Sequence, residues 1–196
     1  VGALVAIGLL LMNTPTSAAT AWDKAWGTGA YDEIVSESTA LGWSKAPFSW
    51  DAVHGSLATS FWAFLGFEFV APLGSEIREP KKSMFWGSIV ATIFIAIWYL
   101  IIAGSLYRAY GMDFIGRYDH VYYNAPDSFW ETSIMPKTEP SLPLFAASLS
   151  TNSAIQLTTS IGISFGVINA IPSCQAFASR TIFAMGFDRY LPEGLT

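Results

Sequence analysis

Apolar residues fall into four runs along this chain, and polar stretches separate them. The runs are Val1–Met12, Gly55–Ser75, Met84–Tyr107 and Leu157–Ser179. A helix that crosses the hydrocarbon core of a bilayer needs roughly 20 mostly apolar residues. Three of the runs reach that length. The pattern therefore predicts membrane-spanning helices and an all-α transmembrane fold.

Charged residues are almost absent from the long runs. Met84–Tyr107 contains none, and as a helix it would extend about 36 Å. Leu157–Ser179 also lacks charge, and Gly55–Ser75 carries only Glu68. Val1–Met12 is too short to span and does not resemble a signal peptide. We therefore expect it to be the end of a helix, and the chain to be an internal fragment of a longer protein.

Composition agrees with this prediction. Hydrophobic residues make up 52% of the 196 positions and charged residues 13%, whereas soluble domains carry about 25% charged residues. We expect an integral, multi-pass protein of the cell membrane. The ten Lys and Arg residues are dispersed, so no nucleic-acid partner is predicted.

Basic residues indicate the orientation. The short connection Ser75–Ser83 holds three of the ten Lys and Arg residues, and Arg180 and Arg189 flank the end of the last run. Short loops rich in Lys and Arg stay in the cytoplasm. The long connections Asn13–His54 and Arg108–Gln156 then lie outside.

The predicted layout has eight segments. By residue number they are the end of a transmembrane helix at 1–12, an extracellular loop at 13–54, an interrupted transmembrane helix at 55–75, a cytoplasmic loop at 76–83, a transmembrane helix at 84–107, an extracellular loop with short helices at 108–156, a transmembrane helix at 157–186 and a cytoplasmic segment at 187–196.

The outer segments are rich in aromatic residues. Leu142–Leu149 is one candidate for a short helix on the membrane surface. Aromatic rings are enriched at the lipid headgroup level, but packing within a folded loop would use the same residues. Both alternatives stay open for this group: Trp22, Trp26, Trp43, Trp50, Tyr122, Tyr123 and Trp130.

The second run places a glycine and a carboxylate near the middle of a membrane span. A carboxylate at the bilayer centre costs about 2.5–3.5 kcal/mol on insertion scales, so it normally faces a cavity or pathway. Glu68 is therefore a candidate for coupling or gating. The alternative is that Glu68 reaches water at the cytoplasmic face, because Glu76 follows eight positions later. Together with Gly66, Glu68 predicts an interrupted helix.

An interrupted helix exposes unpaired carbonyl and amide groups, which is tolerated only beside a cavity. Carbonyl groups after Phe61 would accept an ammonium group, and amides near Glu68 would favour an anion. The rings of Trp62 and Phe64 would cover the substrate, although aromatic rings in membrane helices also serve packing alone. The candidate substrate-binding residues are Phe61, Trp62, Ala63, Phe64, Leu65 and Gly66.

A second group of polar residues lies in the last run. Pro172 removes a helical hydrogen bond and favours a kink. Ser164, Asn169 and Ser173 offer oxygen atoms near it and are candidate ligands of a coupling ion. Ordinary hydrogen bonding between helices is the alternative for these small polar residues.

The chain lacks the motifs of enzymes. It has no Gly-x-Ser-x-Gly elbow, no Walker sequence and no Cys/His spacing for a metal. We therefore expect no catalytic residue, no metal site and no cofactor, apart from coupling to H⁺ or Na⁺.

Three segments resemble the amino acid–polyamine–organocation (APC) superfamily of permeases. Phe61-Trp62-Ala63-Phe64-Leu65-Gly66-Phe67-Glu68 is similar to the family's sixth helix. The loop Ser75–Ser83 is similar to the basic, proline-containing loop that follows it. Asn169–Pro192, with Ser179-Arg180 and a closing Leu191-Pro192, is similar to the end of the eighth helix.

The resemblance implies a LeuT-type fold of two inverted five-helix repeats. This chain would run from the end of the fifth helix to the end of the eighth, with long extracellular loops. The family's unwound sixth helix binds the amino group of the substrate through backbone carbonyls, here near Phe61, Trp62 and Phe64, and Glu68 would help to couple or gate. Partners would be a small amino acid or amine, the lipid bilayer and the remaining helices of the parent transporter.

The resemblance implies secondary active transport by symport or exchange. Two alternatives remain: a non-transporting amino-acid sensor with a permease fold, and an unrelated multi-span channel. The sequence departs from the family pattern at Glu79, Phe187 and Tyr190, all on the predicted cytoplasmic side.

Overall fold

The computed structural model describes residues 1–62, 64, 77–168 and 170–187, apart from the side chains at positions 58, 62 and 167. Every regular element in these ranges is an α-helix. The helices are α1 (Gly2–Met12), α2 (Pro15–Trp26), α3 (Ala30–Ala40), α4 (Trp50–Trp62), α5 (Pro80–Asn124), α6 (Asp127–Thr132), α7 (Leu142–Ala147), α8 (Ser153–Ile168) and α9 (Ala170–Phe187).

Two helical stretches are long and apolar enough to cross a membrane. They are Pro80–Asn124 and Ser153–Phe187, the second including residue 169, which lies outside the description. The pair α1 and α2 would make a third if it counted as one span, but the two helices are bent by 120°. The predicted all-α transmembrane class is confirmed by these helices.

The chain turns sharply between α1 and α2. Pro15 is the first residue of α2, where its fixed φ suits a helix and its missing N–H costs nothing. The hydroxyl of Ser17 accepts a hydrogen bond from the backbone N–H of Thr14 at 2.9 Å. These features begin a new helix within a segment that the sequence predicted as an extracellular loop.

Helix α5 is longer than the predicted span 84–107. It begins at Pro80 and, with a non-helical residue at Gly111 (φ 76°, ψ 150°), reaches Asn124. Glu79 precedes it with φ 52°. Gly111 is a kink that joins two helices within α5. Both sides of the kink have a buried face, with Tyr110 before it and Phe114, Tyr118 and Val121 after it.

Helices α8 and α9 occupy the predicted span 157–186. Pro172 lies three positions after residue 169, which is outside the described residues, so the predicted kink at Pro172 stays a prediction. The short helix predicted at Leu142–Leu149 is present as Leu142–Ala147, and the hydroxyl of Ser141 accepts the N–H of Leu144 at its start.

The chain divides into two compact units. The first comprises Val1–Pro47 and Tyr99–Phe165, and the second holds α4, the first part of α5 and α9. In the second unit, Val90, Phe94 and Phe183 are each more than half exposed. Such exposed apolar surfaces are expected on helices that face lipid or other membrane helices.

The core of the first unit is aromatic. Trp22 of α2 is fully buried, and its ring centroid lies 5.8 Å from Tyr110, 5.3 Å from Phe114, 5.5 Å from Tyr118 and 5.9 Å from Phe145. Aromatic pairs at 4.5–7 Å are stabilised by about 0.5–1.5 kcal/mol beyond burial. The two long connections therefore fold together around one tryptophan.

Arg117 of α5 ties α3 to this core. Its guanidinium donates to the hydroxyls of Ser38 and Thr39, both at 3.0 Å, and pairs with Asp113 at 2.7 Å. It also lies 4.3 Å from the ring centroid of Trp43. One cation thus fixes the end of α3 and the residues after it.

The outer aromatic residues divide into buried and exposed members. Trp22 and Trp130 are buried, whereas Trp50 is 67% exposed and Tyr123 69% exposed. The first two pack within the folded connections, and the last two are available to a lipid surface.

Helices α1 and α8 approach closely through two glycines. A Cβ atom added to Gly162 would lie 2.6 Å from the Cα of Gly2, and one added to Gly2 would lie 2.9 Å from the carbonyl oxygen of Thr158. Both distances are shorter than van der Waals contact. Only glycine fits at this crossing, as at many crossings of membrane helices.

Candidate functional site

The predicted substrate-binding segment begins at the end of α4. Phe61 and Trp62 are the last two residues of this helix, and Phe64 lies in a turn. The backbone N–H of Phe64 donates to the carbonyl of Phe61 at 3.0 Å. A carbonyl oxygen can accept two hydrogen bonds. The phenyl ring of Phe61 is 71% exposed.

The rest of that segment lies outside the described residues. Ala63, Leu65, Gly66 and Glu68 belong to this group. The predicted break in the helix and the predicted role of Glu68 therefore stay predictions.

Two of the three predicted ion ligands lie among the described residues. Ser164 is exposed on α8, and its hydroxyl donates to the carbonyl of Ser160 at 2.9 Å. Ser173 is exposed on α9, and Asn169 lies outside the described residues. The predicted ion site therefore stays a prediction.

A cavity of about 510 Å³ lies in the first unit. This volume falls in the range of about 300–1,000 Å³ that is usual for small-molecule sites. The end of α2, the segment before α7, α7 itself and the first turns of α8 form its walls. The lining residues are Ala25, Trp26, Thr138, Ser141, Pro143, Leu144, Ala147, Ser148, Gln156 and Ser160.

Hydrogen bonds hold the aromatic wall of this cavity in place. The indole N–H of Trp26 donates to the hydroxyl of Ser148 at 2.9 Å, and that hydroxyl donates to the carbonyl of Leu144 at 2.8 Å. The chain from Trp26 to Leu144 fixes the indole against α7. Its ring is thus a preformed apolar surface.

Other polar groups of the lining keep free hydrogen-bonding capacity. The amide nitrogen of Gln156 donates to the carbonyl of Ser150 at 2.7 Å, which fixes the side chain and leaves its carbonyl oxygen as an acceptor. Ser141 accepts the N–H of Leu144 at 3.4 Å, which leaves its own O–H as a donor. The hydroxyl of Ser160 has no hydrogen-bond partner among the described residues.

The electrostatic character of the cavity is neutral. None of the lining residues is Asp, Glu, Lys, Arg or His. Nearby, burial raises the pKa of Tyr110 above its ordinary value, and its hydroxyl donates to the carbonyl of Phe145 at 2.7 Å. This tyrosine stays protonated and adds no charge.

The described part of the chain contains no cluster of three or more His, Cys, Asp or Glu residues that would hold a metal ion. The cavity residues were not selected by sequence reasoning, because most of them lie on different elements. One signal was present: Gln156, Ser160 and Ser164 recur every four residues, which places them along one helix face.

Comparisons with known proteins agree with the helices and the apolar spans. A family model described as amino acid permease matches residues 3–196. An uncharacterized transporter of Rhizobium meliloti (strain 1021) is 26% identical over 153 residues, which cover 75% of this chain and 27% of that protein. The chain therefore spans about a quarter of the length of this relative. No solved structure matches the chain.

Both similarities point to membrane transport rather than to an enzyme. The family match covers nearly the whole chain, including the segments 61–68, 75–83 and 169–192 on which the resemblance rests. The chain belongs to the amino acid permease family of the APC superfamily.

Proposed function

We propose that the parent protein is a secondary active transporter that moves an amino acid or a related amine across the cell membrane by symport or exchange. The observation that carries this proposal is the amino acid permease match over residues 3–196. The two long apolar helical stretches support it, because a transporter needs such spans to enclose a pathway.

The proposed architecture is of the LeuT type. The chain would supply the end of the fifth helix and then the sixth to eighth, with residues 13–54 and 108–156 outside and residues 76–83 and 187–196 in the cytoplasm. The remaining helices of the parent protein would complete the site. Substrates of such transporters bind near the bilayer midplane, at broken helices.

In this proposal the substrate's ammonium group binds the carbonyls at the end of α4, near Phe61, Trp62 and Phe64. Residues 63, 65 and 66 form the remainder of the break. Glu68 couples substrate movement to H⁺ or Na⁺, because a carboxylate can take up a proton or attract a cation as its surroundings change. Ser164, Asn169 and Ser173 are proposed as additional oxygen ligands of a coupling ion.

Uptake by the full-length protein in proteoliposomes tests the proposal. A mixture of labelled amino acids is supplied with and without an inward H⁺ or Na⁺ gradient. We expect saturable uptake of one class of amino acid that responds to a gradient or to amino acid inside the vesicle. Binding without uptake would favour a sensor, and ion flux without saturation would favour a channel.

Substitution of Glu68 by glutamine tests its coupling role. We expect the Glu68→Gln protein to insert normally but to lose most of its gradient-driven uptake, or to shift the pH dependence of uptake. Glu79→Gln is the matched control, because Glu79 is an exposed carboxylate just before α5. Equal uptake by both variants at every pH would contradict a coupling role for Glu68.

Substitution of Trp62 by alanine tests the substrate site. We expect Trp62→Ala to weaken the apparent affinity for substrate more than Trp98→Ala, since Trp98 lies inside α5, away from the proposed break. Equal KM values in the two variants would mean that Trp62 serves packing and does not contact the substrate.

A further inference from the structure

Two polar residues of the cavity beside Trp26 belong to a row of polar side chains on α8. Gln156 and Ser160 line the cavity, and Ser164 follows one turn later, its hydroxyl donating to the carbonyl of Ser160. At a rise of about 1.5 Å per residue this row is about 12 Å long. It runs from the start of the helix toward the middle of an apolar span.

Polar side chains in a membrane helix normally face the interior of a protein or a water-filled passage. Ser160 and Ser164 are flanked on α8 by Ile161, Ile163 and Phe165, so beyond Ser160 the row is polar between apolar neighbours. A solute that leaves the cavity along α8 would contact this row of polar side chains next.

We propose that this cavity is the outer docking site of the transporter and that it selects substrates with an uncharged polar side chain, such as glutamine, asparagine, serine or threonine. The inference rests on the proposed function and names its substrate class. The orientation of α8 follows from the basic residues of the short loop, which place the start of α8 outside.

The chemistry of the lining gives the substrate class. A carboxamide offers an N–H to the carbonyl oxygen of Gln156 and accepts the O–H of Ser141. The hydrocarbon part of the side chain lies against the indole of Trp26, which Ser148 holds in place. The cavity is open on one side, so the substrate's ammonium and carboxylate groups keep their hydration at its mouth while the side chain enters. A charged side chain would lose its hydration inside without gaining a partner of opposite charge, and an aliphatic one would leave the polar groups unpaired.

The test compares uptake of glutamine with uptake of leucine by the full-length protein in proteoliposomes. We expect the wild-type protein to take up glutamine with a higher kcat/KM than leucine, lysine or glutamate. Gln156→Leu, which keeps the size of the side chain, should lower the glutamine-to-leucine ratio by about 2- to 12-fold, the effect of losing one neutral hydrogen bond. Leucine uptake itself should persist.

The matched control is Thr158→Val. Thr158 lies two residues from Gln156 on α8, outside the cavity lining, and its hydroxyl donates to the carbonyl of Ala154 within the helix. Its removal should leave the glutamine-to-leucine ratio unchanged. Ser160→Ala is a second test variant, which removes one oxygen atom from the cavity and should also lower the ratio.

The outcomes distinguish a failure of the docking-site proposal from a failure of the proposed transport function. A ratio that falls in Gln156→Leu or Ser160→Ala, but not in Thr158→Val, supports the docking site. An unchanged ratio in both test variants, with normal leucine uptake, overturns the docking site and leaves amino acid transport standing. If the wild-type protein takes up no amino acid, both proposals fail together.

Discussion

Replacing Gly162 by alanine should destabilise the protein, although alanine is the better helix former. The added Cβ would lie 2.6 Å from the Cα of Gly2 and 2.9 Å from its backbone nitrogen. Ordinary contacts of a Cβ atom are at 3.4–4 Å, so α1 and α8 must separate by about 1 Å or bend. Both atoms belong to backbone and cannot rotate away. Overpacking of this kind costs about 1–3 kcal/mol.

The matched control is Gly166→Ala, one turn later on the same helix. Among the residues that the structure describes, nothing lies within 4 Å of a Cβ added to Gly166. Alanine is favoured over glycine in a helix interior by about 0.8–1 kcal/mol, and this gain is common to both variants. The difference between them therefore isolates the contact with Gly2.

The assay is thermal unfolding of the full-length protein in detergent, with uptake measured in proteoliposomes. We expect Gly162→Ala to unfold at a lower temperature than the wild type and Gly166→Ala at the same or a higher temperature. A larger residue, as in Gly162→Leu, should lower the unfolding temperature further. If Gly162→Ala is as stable as Gly166→Ala, the close approach of α1 and α8 is refuted.

Three further predictions concern the first unit. Trp22→Ala should cost about 3–5 kcal/mol, the usual loss for a buried tryptophan, and speed hydrogen exchange of the α2 amides. Arg117→Met should cost about 1–3 kcal/mol through lost charged hydrogen bonds and speed exchange at the end of α3. Above pH 10 the unit should lose stability, since burial raises the pKa of Tyr31, Tyr110 and Tyr118.

The sign of the pH effect follows from linkage. The folded state holds the three phenol protons more tightly than the unfolded chain, whose tyrosines titrate near pH 10. Their contribution to stability is complete below that pH and is lost as the pH rises toward the folded pKa values. Ultraviolet titration should show these phenols ionising only above pH 10 or on unfolding. Ionisation at the ordinary pH without unfolding would contradict their burial.

Controls exist for the two substitutions. Trp50 is 67% exposed, so Trp50→Ala should leave exchange of the α2 amides unchanged. Lys137 lies 5.9 Å from the ring of Tyr122 and pairs with the exposed Asp127, so Lys137→Met should cost about 0–1 kcal/mol. Equal effects of Arg117→Met and Lys137→Met would mean that Arg117 does not hold α3.

The sequence alone determined the class of the protein and its family. Apolar runs long enough to span a bilayer are a one-dimensional signal, because each spanning helix satisfies its own backbone hydrogen bonds and needs no partner to be recognised. The family was recognised in the same way, from local patterns of residues in the segments 61–68, 75–83 and 169–192. The predicted substrate carbonyls and Glu68 also came from local pattern, and they remain predictions.

Only the tertiary structure decided what the outer connections do. Their polar composition predicted loops, yet α2 and α3 fold with the end of α5 and with α7 around Trp22. Trp22 is buried by rings that lie about 90 to 120 residues further along the chain, which no local pattern records. The cavity beside Trp26 and the contact between Gly2 and Gly162 arise in the same way, since each joins residues from helices that are distant in sequence and adjacent only after packing.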